Sequence, residues 1–301
     1  MTTIAQAYES LGTIRRRKVA VARADSEDAL IALRAGYDQG LISAVLVGEA
    51  EKIKEAASLA GVDISVFEIF DTRSEEASIE AVKLVSSGQA DIVMKGLAAS
   101  GEFLKAVLDR EVGIRKEGSS LSAIAVMQAD NLGRLLFITD PGITPSPDLA
   151  QKVKLIRNAV PIAQAFGVKT PKVAALCAAE SVSPKIQSTV DAARLQEMSG
   201  SEEIFGALVA GPISLDLAIS EHAALEKGYA SPVAGKADIL LAPSIEAANI
   251  LYKSLTYFAG MKTGGVMAGA AAPIIFTSRT DSAQTKLNTI AFAAFLAKGC
   301  E

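Results

Sequence analysis

Short apolar runs alternate with longer amphipathic segments along most of the chain. The longer segments repeat their apolar residues every three or four positions, which is typical of a helix with one buried face; examples are 28–39, 49–60 and 75–86. The short runs are rich in β-branched residues and almost wholly apolar, as expected for strands of a parallel sheet covered on both faces. We predict strands at 19–22, 44–47, 66–70, 92–94, 123–127, 135–138, 173–177, 207–210, 239–242, 266–269 and 273–277.

Alternation of this kind predicts an α/β protein with mostly parallel sheets and covering helices. A proline-rich break at 140–147 precedes a long helical pattern that ends near Phe166, and the strand–helix alternation then begins again. We therefore expect two halves, with the change of domain near 131–139. The length of 301 residues is sufficient for two domains with cores of their own.

The last predicted strand, 273–277, is followed by a polar segment that suits an anion. Ser278 and Arg279 come directly after the strand, and Asp281 and Ser282 precede the final helical pattern. The start of a helix offers unpaired N–H groups and a positive dipole end. The arginine adds a planar fork that matches phosphate oxygens in pairs. An alternative is an ordinary N-cap, in which Asp281 or Ser282 satisfies those N–H groups without a ligand.

Composition and charge exclude several other functions. The net charge of −4 gives no reason to expect nucleic acid. The single histidine, His222, lies in a helix-like segment and cannot supply a multi-histidine zinc site. The two cysteines, Cys177 and Cys300, form neither a metal-binding spacing nor a disulfide framework. No apolar run approaches the ~18 residues of a membrane span, and we expect a soluble, cytoplasmic protein.

Ligands of parallel sheets bind beyond the carboxyl ends of the strands. That rule groups the loops that follow the predicted strands, and a cleft furnished by these loops is the expected active site. The loops are 95–100, 139–144, 179–183, 211–216, 243–249 and 277–281.

The polar residues of these loops and their surroundings form an ordered series of motifs. The series reads Thr139-Asp140-Pro141-Gly142; Gly211-Pro212-x3-Asp216; Lys227-Gly228-x2-Ser231-x2-Ala234-Gly235-x-Ala237-Asp238; Pro243-x-Ile245-Glu246-x2-Asn249-x2-Tyr252-Lys253; and Gly269-x3-Pro273-x4-Ser278-Arg279-x-Asp281-Ser282-x3-Lys286. With these motifs in this order, the chain resembles the phosphate acetyl/butyryltransferase family, and most of all its phosphate butyryltransferase branch. The likeness extends from about residue 19 to residue 297 and is strongest from residue 139 onward.

The resemblance implies a fold, a reaction and an assembly. The fold would be two α/β/α domains related to isocitrate and isopropylmalate dehydrogenases. We expect 1–135 plus about 275–301 in the first domain, 136–274 in the second, and the active site in the cleft between them. The reaction would move a short-chain acyl group between coenzyme A and inorganic phosphate. No metal or cofactor would take part, because coenzyme A enters as the thioester substrate, and the protein would be a homodimer or higher homo-oligomer.

Roles for individual residues follow from the resemblance. Arg279 would clamp phosphate, Ser278 would donate to the thioester oxygen or to the departing sulfur, and Asp281 is the nearest acidic candidate for a base toward the coenzyme A thiol. Its alternative role is that of a helix cap. Lys286 would add positive potential to the site or face solvent.

The remaining candidates are substrate-binding residues that precede the final strand. Lys227 and Ser231 would contact the phosphates of coenzyme A or form a plain turn. The resemblance also makes Glu246 and Asn249 substrate-binding candidates. Cys177 ends a buried strand pattern and is not expected to carry an acyl group.

Two departures from the family pattern bear on the substrate. Ala248 stands where the family often has glycine, which alters a close backbone approach. Thr285 stands where the acetyl-specific branch has an aspartate proposed as the thiol base. This second departure favours butyryl-coenzyme A over the alternative substrate, acetyl-coenzyme A.

Two other classes remain as alternatives. A metal-dependent dehydrogenase of the same fold would need aspartates four residues apart, where this chain has Asn249 and Lys253. An ammonium at a metal site reverses the local charge, so this class is disfavoured. A non-catalytic ligand-binding protein of the same fold is disfavoured by the joint presence of Ser278, Arg279 and Lys286.

Overall fold

The computed structural model describes residues 3–11, 15–116 and 118–297, and Cys300 lies outside them. Their helices are α1 (Ile4–Leu11), α2 (Glu27–Asp38), α3 (Ala50–Ala60), α4 (Ala77–Ser86), α5 (Ser100–Val107), α6 (Leu149–Ala165), α7 (Gln187–Glu197), α8 (Leu215–Ile219), α9 (Glu221–Glu226), α10 (Ile245–Tyr257) and α11 (Ala283–Ala297). Their strands are β1 (Arg17–Ala22), β2 (Ile42–Gly48), β3 (Glu68–Asp71), β4 (Ile92–Lys95), β5 (Ser122–Ala129), β6 (Arg134–Thr139), β7 (Lys172–Leu176), β8 (Leu208–Ile213), β9 (Ile239–Leu241), β10 (Thr263–Ala268) and β11 (Ile274–Ile275).

The structure confirms the predicted alternation of strands and helices, with a strand at each predicted run. The strand that falls furthest short of its predicted run is β11, where only Ile274–Ile275 form a strand. Proline has no N–H to donate, so Pro273 enters the ladder through its carbonyl alone, which accepts from Val93 N at 3.3 Å.

The chain divides into two compact units. The central unit contains Leu121–Thr263 and the first residues up to Ile4; the terminal unit contains Ala5–Ser120 and the chain from Gly264 onward. The boundaries expected from the sequence lie later, and the one after residue 135 falls within β6. Since β5 pairs antiparallel with β6 from Ile124 to Ala129, the two strands belong together in the central unit. The expected interdomain active site stays a prediction.

The terminal unit is built on a sheet of order β3-β2-β1-β4-β11-β10. Neighbouring strands are parallel except for β10 and β11, which pair antiparallel. Alternate strand side chains, such as Val19, Val21 and Met94, pack with α2, α3 and α11 on one face. Helix α4 contacts β1 and β4, and α5 packs beside α4. The unit is therefore a three-layer α/β/α structure, with the carboxyl ends of β1, β4 and β11 at one edge.

The central unit repeats this architecture with a sheet of order β5-β6-β9-β7-β8. All neighbouring strands are parallel except β5 and β6. Met127, Ile138 and Leu240 face α8, α9 and α10, while α6 and α7 contact the strands separately from that cluster. Helix α6 begins with a capping box, in which Asp148 and Gln151 satisfy each other's backbone N–H groups.

Candidate active site

The segment between β11 and α11 is a hydrogen-bonded turn whose hydroxyl groups stay exposed. Asp281 Oδ2 accepts from the backbone N–H of Ser278 at 2.8 Å, and the Ser278 and Thr280 hydroxyls lie 3.0 Å apart. Ser282 caps the helix, since its hydroxyl accepts from Thr285 N at 3.1 Å. Of the two capping candidates, Ser282 therefore takes the helix N-terminus, and the Asp281 carboxylate closes the turn that carries Ser278.

Arg279 lies at the tip of this turn and is exposed. Among the described residues its guanidinium makes no ion pair or hydrogen bond. Two other arginines of the terminal unit differ in this respect, since Arg23 pairs with Asp25 at 3.0 Å and Arg34 with Asp38 at 2.9 Å. Arg279 can therefore bind an anion without first breaking a pair.

Lys286 lies one turn into α11, and only 3% of its surface is exposed. Its ammonium donates to the backbone carbonyl of Asp281 and lies 3.5 Å from the carboxylate of Asp28. The alternative in which Lys286 faces solvent is wrong, because the lysine turns back toward the start of its own helix. Its charge thereby adds to the positive end of the α11 dipole.

A second buried lysine at the same edge was not among the residues selected from the sequence. Lys95 ends β4, next to β11 in the sheet, and is 4% exposed. Its ammonium lies 5.6 Å from the centroid of the Phe276 ring. Burial first, then the charges of Arg279 and Lys286, lower the pKa of Lys95, while Asp281 opposes the shift. The 95–100 loop was expected to face a ligand, but a single lysine at a strand end gives no sign of burial in the sequence.

Lys227 lies in the central unit between two carboxylates. Its ammonium is 3.1 Å from Glu180 Oε1 and 3.3 Å from Asp216 Oδ2. The hydrogen bond to Glu180, followed by that to Asp216, raises the pKa of Lys227. Ser214 donates to Glu180, and this bond and the one from Lys227 lower the pKa of the Glu180 carboxyl. A phosphate approaching Lys227 meets two negative charges that are already there.

Ser231 lies beside this cluster and lines a cavity with Glu180, Pro212 and Tyr229. Its hydroxyl accepts from Val233 N at 3.2 Å, and the Tyr229 hydroxyl donates to the Pro212 carbonyl at 3.1 Å. Ser231 therefore both forms a turn and faces an open space.

Asn249 and Glu246 are on α10, in a different part of the central unit. The Asn249 amide donates to the Pro141 carbonyl at 2.9 Å and so holds the 139–144 loop. Within that loop the buried Asp140 accepts from four backbone N–H groups, those of Ala123, Gly142, Ile143 and Thr144. Burial nevertheless raises the pKa of Asp140. Glu246 is exposed in the first turn of α10, where a hydrogen bond from Ser244 lowers its pKa.

The eight selected residues thus fall into separate groups. Ser278, Arg279, Asp281 and Lys286 lie together in the terminal unit. Lys227 and Ser231 share one region of the central unit, and Asn249 and Glu246 share another. Their roles in binding or catalysis stay predictions.

Among the described residues, Cys177 and His222 offer no competing site. Burial raises the pKa of the Cys177 thiol, which donates to the Ser188 carbonyl at 3.3 Å, so it is a weak nucleophile. His222 is exposed on α9. In the described part of the chain, no three His, Cys, Asp or Glu side chains form a group that could hold a metal ion. Likewise, within 3–11, 15–116 and 118–297, no helix is long and apolar enough to cross a membrane.

Known proteins show the same sequence pattern over nearly the whole chain. The chain is 46% identical to a phosphate butyryltransferase of Clostridium acetobutylicum, over 93% of each protein. It is 41% identical to a phosphate acetyltransferase of Thermotoga maritima, over 93% of this chain and 95% of that one.

Solved structures show the same fold. A branched-chain phosphotransacylase from Enterococcus faecalis superposes with a TM-score of 0.83 at 31% identity, over 93% of this chain and 99% of that one. A 4-hydroxythreonine-4-phosphate dehydrogenase from Klebsiella pneumoniae superposes with a TM-score of 0.56 at 12% identity, over 94% of this chain and 99% of that one. This last likeness is one of fold alone, and it confirms the expected relation to a dehydrogenase-like α/β fold.

The family model described as "Phosphate acetyl/butaryl transferase" matches residues 73–294. This range includes all eight selected residues and Lys95. The match and the two relatives confirm the resemblance found in the motifs, and the chain belongs to the phosphate acetyl/butyryltransferase family.

Proposed function

We propose that this protein transfers a short-chain acyl group between coenzyme A and inorganic phosphate, with butyryl-coenzyme A as the preferred thioester. The observation that carries the proposal is the uncommitted Arg279 next to Ser278, at the carboxyl end of a sheet strand. It occurs in a chain 46% identical to a phosphate butyryltransferase. No metal or cofactor enters the proposal.

The chemistry needs little acid or base at neutral pH. A phosphate oxygen attacks the thioester carbonyl carbon, a tetrahedral oxyanion forms, and the C–S bond breaks to give an acyl phosphate and a thiolate. The thiolate leaves readily because thiol pKa values are about 8.5. The demanding parts are to bring two anionic substrates together and to stabilise the oxyanion.

Arg279 meets the first demand, because its guanidinium can hold two phosphate oxygens at once. The exposed Ser278 hydroxyl is adjacent in sequence and can donate to the thioester oxygen or the departing sulfur. In the reverse direction the coenzyme A thiol must lose its proton. Asp281 is the proposed acceptor, and its carboxylate is held beside Ser278 by the 2.8 Å hydrogen bond.

We place coenzyme A contacts in the central unit. Lys227 and Ser231 are proposed to contact its phosphates. Lys227 would then replace part of its ion pairing with Glu180 and Asp216 by a contact to phosphate. Asn249 is proposed to act on the substrate indirectly, by holding the loop that contains Pro141. Glu246 is proposed as a further contact to the substrate. A cytoplasmic homodimer or higher homo-oligomer is proposed from the family resemblance.

Acetyl-coenzyme A is the second candidate substrate, and the 41% identity to a phosphate acetyltransferase favours it. Thr285 argues against acetyl-coenzyme A, because the acetyl-specific branch has an aspartate at this position and this chain has no carboxylate there. We expect kcat/KM to be higher with butyryl-coenzyme A than with acetyl-coenzyme A, the small residues at 270–272 leaving room for a longer chain. A thiol-release assay with both thioesters decides, and equal or better use of acetyl-coenzyme A would reverse the choice.

The reaction itself is tested by thiol release from butyryl-coenzyme A with and without inorganic phosphate. The proposal predicts release that depends on phosphate, is unaffected by a chelator, and yields butyryl phosphate, which hydroxylamine traps as the hydroxamate. Release independent of phosphate would identify a thioesterase instead. Release abolished by a chelator would also contradict the proposal.

A further inference from the structure

Lys95 is a buried cation at the edge of the terminal unit that carries Ser278 and Arg279. It ends β4, whose Met94 is paired with Ile275 of β11, three residues before Ser278. Its ammonium also lies near the ring of Phe276, two residues before Ser278. With 4% of its surface exposed, Lys95 lies beneath this edge rather than on it.

The hydrogen bonds of Lys95 leave its charge uncompensated. The ammonium donates to the carbonyls of Gly96 and Ala98, both at 3.3 Å. Among the described residues no carboxylate forms an ion pair with it. An ammonium has three N–H donors, so one remains after these two bonds. A buried charge without an opposite charge is costly, and an anion that binds there recovers that cost.

The groups around Lys95 make its surroundings positive. Arg279 and Lys286 both act on it as like charges, and Asp281 is the opposing carboxylate. Nearby charges on adjoining elements are already paired or bonded: Arg23 with Asp25, Glu102 with the Ser78 hydroxyl, and Asp28 with Lys286.

Backbone packing holds the loop that contains Lys95. Gly96 N donates to Ala22 O at 2.8 Å, and Leu97 N donates to Arg23 O at 2.8 Å. A Cβ on Gly96 would lie 2.1 Å from Arg23 O, so no other residue fits without a backbone shift. The buried ammonium is therefore on a rigid support.

We propose that Lys95 is a phosphate-binding residue of this site, its third N–H donating to an oxygen of the same phosphate that Arg279 clamps. Lys286 adds positive charge from the start of α11. The phosphate thus meets an exposed guanidinium on one side and a buried ammonium on the other. This inference rests on the proposed function for the identity of the phosphate as the acyl acceptor.

Inorganic phosphate and the phosphate groups of coenzyme A share the chemistry that would be recognised here. The depth of Lys95 favours the small ion, because a lysine with 4% of its surface exposed leaves little room for a phosphate attached to a nucleotide. We therefore assign inorganic phosphate to Lys95, and binding of each ligand alone separates the two.

The test uses Lys95→Met, which keeps an unbranched chain and removes the charge. Calorimetric titration with inorganic phosphate alone should show affinity about ten- to a hundredfold weaker than in the wild type, the range of a charge-assisted hydrogen bond. Titration with coenzyme A alone should change by less than about threefold. The control is Lys105→Met, an exposed lysine on α5 in the same unit, which should bind phosphate like the wild type.

Thermal unfolding of the unliganded variant separates a binding role from a structural one. Removing an uncompensated buried charge should leave the melting temperature unchanged or higher. A structural lysine would instead lower the melting temperature and leave phosphate affinity intact. If Lys95→Met does not fold, Lys95→Gln, which keeps donors for the Gly96 and Ala98 carbonyls, should show the same loss.

The pH profile provides a second readout in the wild type. Lys95 must be protonated to bind, and its pKa lies below the ordinary lysine value of about 10.4. Phosphate affinity should therefore fall at alkaline pH before ordinary lysines titrate, and this fall should be absent in Lys95→Met. A flat wild-type profile would overturn the assignment.

The outcomes also separate this inference from the proposed function. A wild type that lacks phosphate-dependent thiol release but binds phosphate through Lys95 would contradict only the reaction. A wild type that transfers the acyl group, with Lys95→Met binding phosphate normally, would contradict only the role of Lys95. A large loss of coenzyme A affinity with phosphate affinity intact would reassign the lysine to the thioester.

Discussion

The cations at the Ser278–Arg279 edge of the terminal unit differ in their partners from Lys227, the cation that lies between Glu180 and Asp216 in the central unit. At the first, Arg279 has no partner among the described residues and Lys95 is bonded only to carbonyls. At the second, Lys227 lies within 3.3 Å of two carboxylates. Both regions contain a lysine that the sequence places near a loop, yet only the first carries an excess of positive charge.

The difference shows that a cation's partners, more than its presence, indicate an anion site. Lys227 is already paired with two carboxylates, which repel an approaching phosphate, and an exposed pair of this kind adds little stability. Among the described residues, Arg279 and Lys95 have no such partner until an anion arrives. The first region is therefore expected to dominate phosphate binding, and the second to modulate thioester binding weakly.

The largest effect is expected from Arg279. Arg279→Lys keeps the charge but loses the two-pronged hydrogen bonding, and a charge-assisted hydrogen bond contributes about 1.5–3 kcal/mol. The kcat/KM for phosphate should fall by roughly ten- to more than a hundredfold, and Arg279→Ala should be worse. Steady-state kinetics with varied phosphate measures the loss.

Arg110→Ala is the matched control for Arg279, because Arg110 is an exposed arginine of the same unit. Its kinetics should equal those of the wild type, and circular dichroism should show all variants folded. Normal phosphate kinetics in Arg279→Ala would show that the arginine is a surface residue beside a helix cap.

A smaller effect is expected from Lys286, which acts from within α11. Lys286→Met should lower kcat/KM for phosphate by less than about tenfold, because Lys286 adds positive charge to the site without a hydrogen bond to the phosphate. Asp28→Asn removes the carboxylate 3.5 Å from Lys286 and should preserve or raise phosphate affinity. If both variants instead lose stability in urea and keep their kinetics, the pair serves α2–α11 packing alone.

The smallest effect is expected from Lys227. Lys227→Ala should raise the KM for butyryl-coenzyme A by no more than about fivefold, the range of an exposed ion pair, and leave the phosphate KM unchanged. Lys236→Ala is the control, since Lys236 forms an exposed pair with Glu221 at 3.2 Å in the same unit. An effect of Lys227→Ala larger than that of Arg279→Ala would invert the comparison between the two regions.

Much of the fold could be predicted because periodicity is local. Apolar runs such as 19–22 and 92–94 coincide with β1 and β4, and amphipathic segments coincide with α2, α3 and α4. Strand order and direction are not local. The hairpin of β5 and β6 is the exception, because the four residues between them are too few for a parallel crossover. The domain change expected near 131–139 cuts this hairpin, and the pairing is what brings β5 into the central unit.

The candidate site likewise has one part that the local sequence predicts and one part that depends on contacts between distant residues. The turn from Ser278 to Ser282 can be predicted from the sequence, because the strand, the hydroxyl residues, the arginine and the helix follow one another directly along the chain. The burial of Lys95 depends on packing against β11, about 180 residues away, and the partner of Lys227 is Glu180, 47 residues away. Contacts of that kind leave no local pattern, so one lysine was missed and the other was selected without its partners.

Binding of phosphate at the Arg279 edge, with its acylation there, is the proposal on which the comparison of the two regions depends. Its most direct test is the phosphate-dependent kcat/KM for thiol release from butyryl-coenzyme A, measured side by side in the wild type, Arg279→Ala and Lys227→Ala. We expect a loss of about a hundredfold or more in Arg279→Ala and a nearly unchanged phosphate dependence in Lys227→Ala. An unchanged phosphate KM and kcat in Arg279→Ala would contradict it.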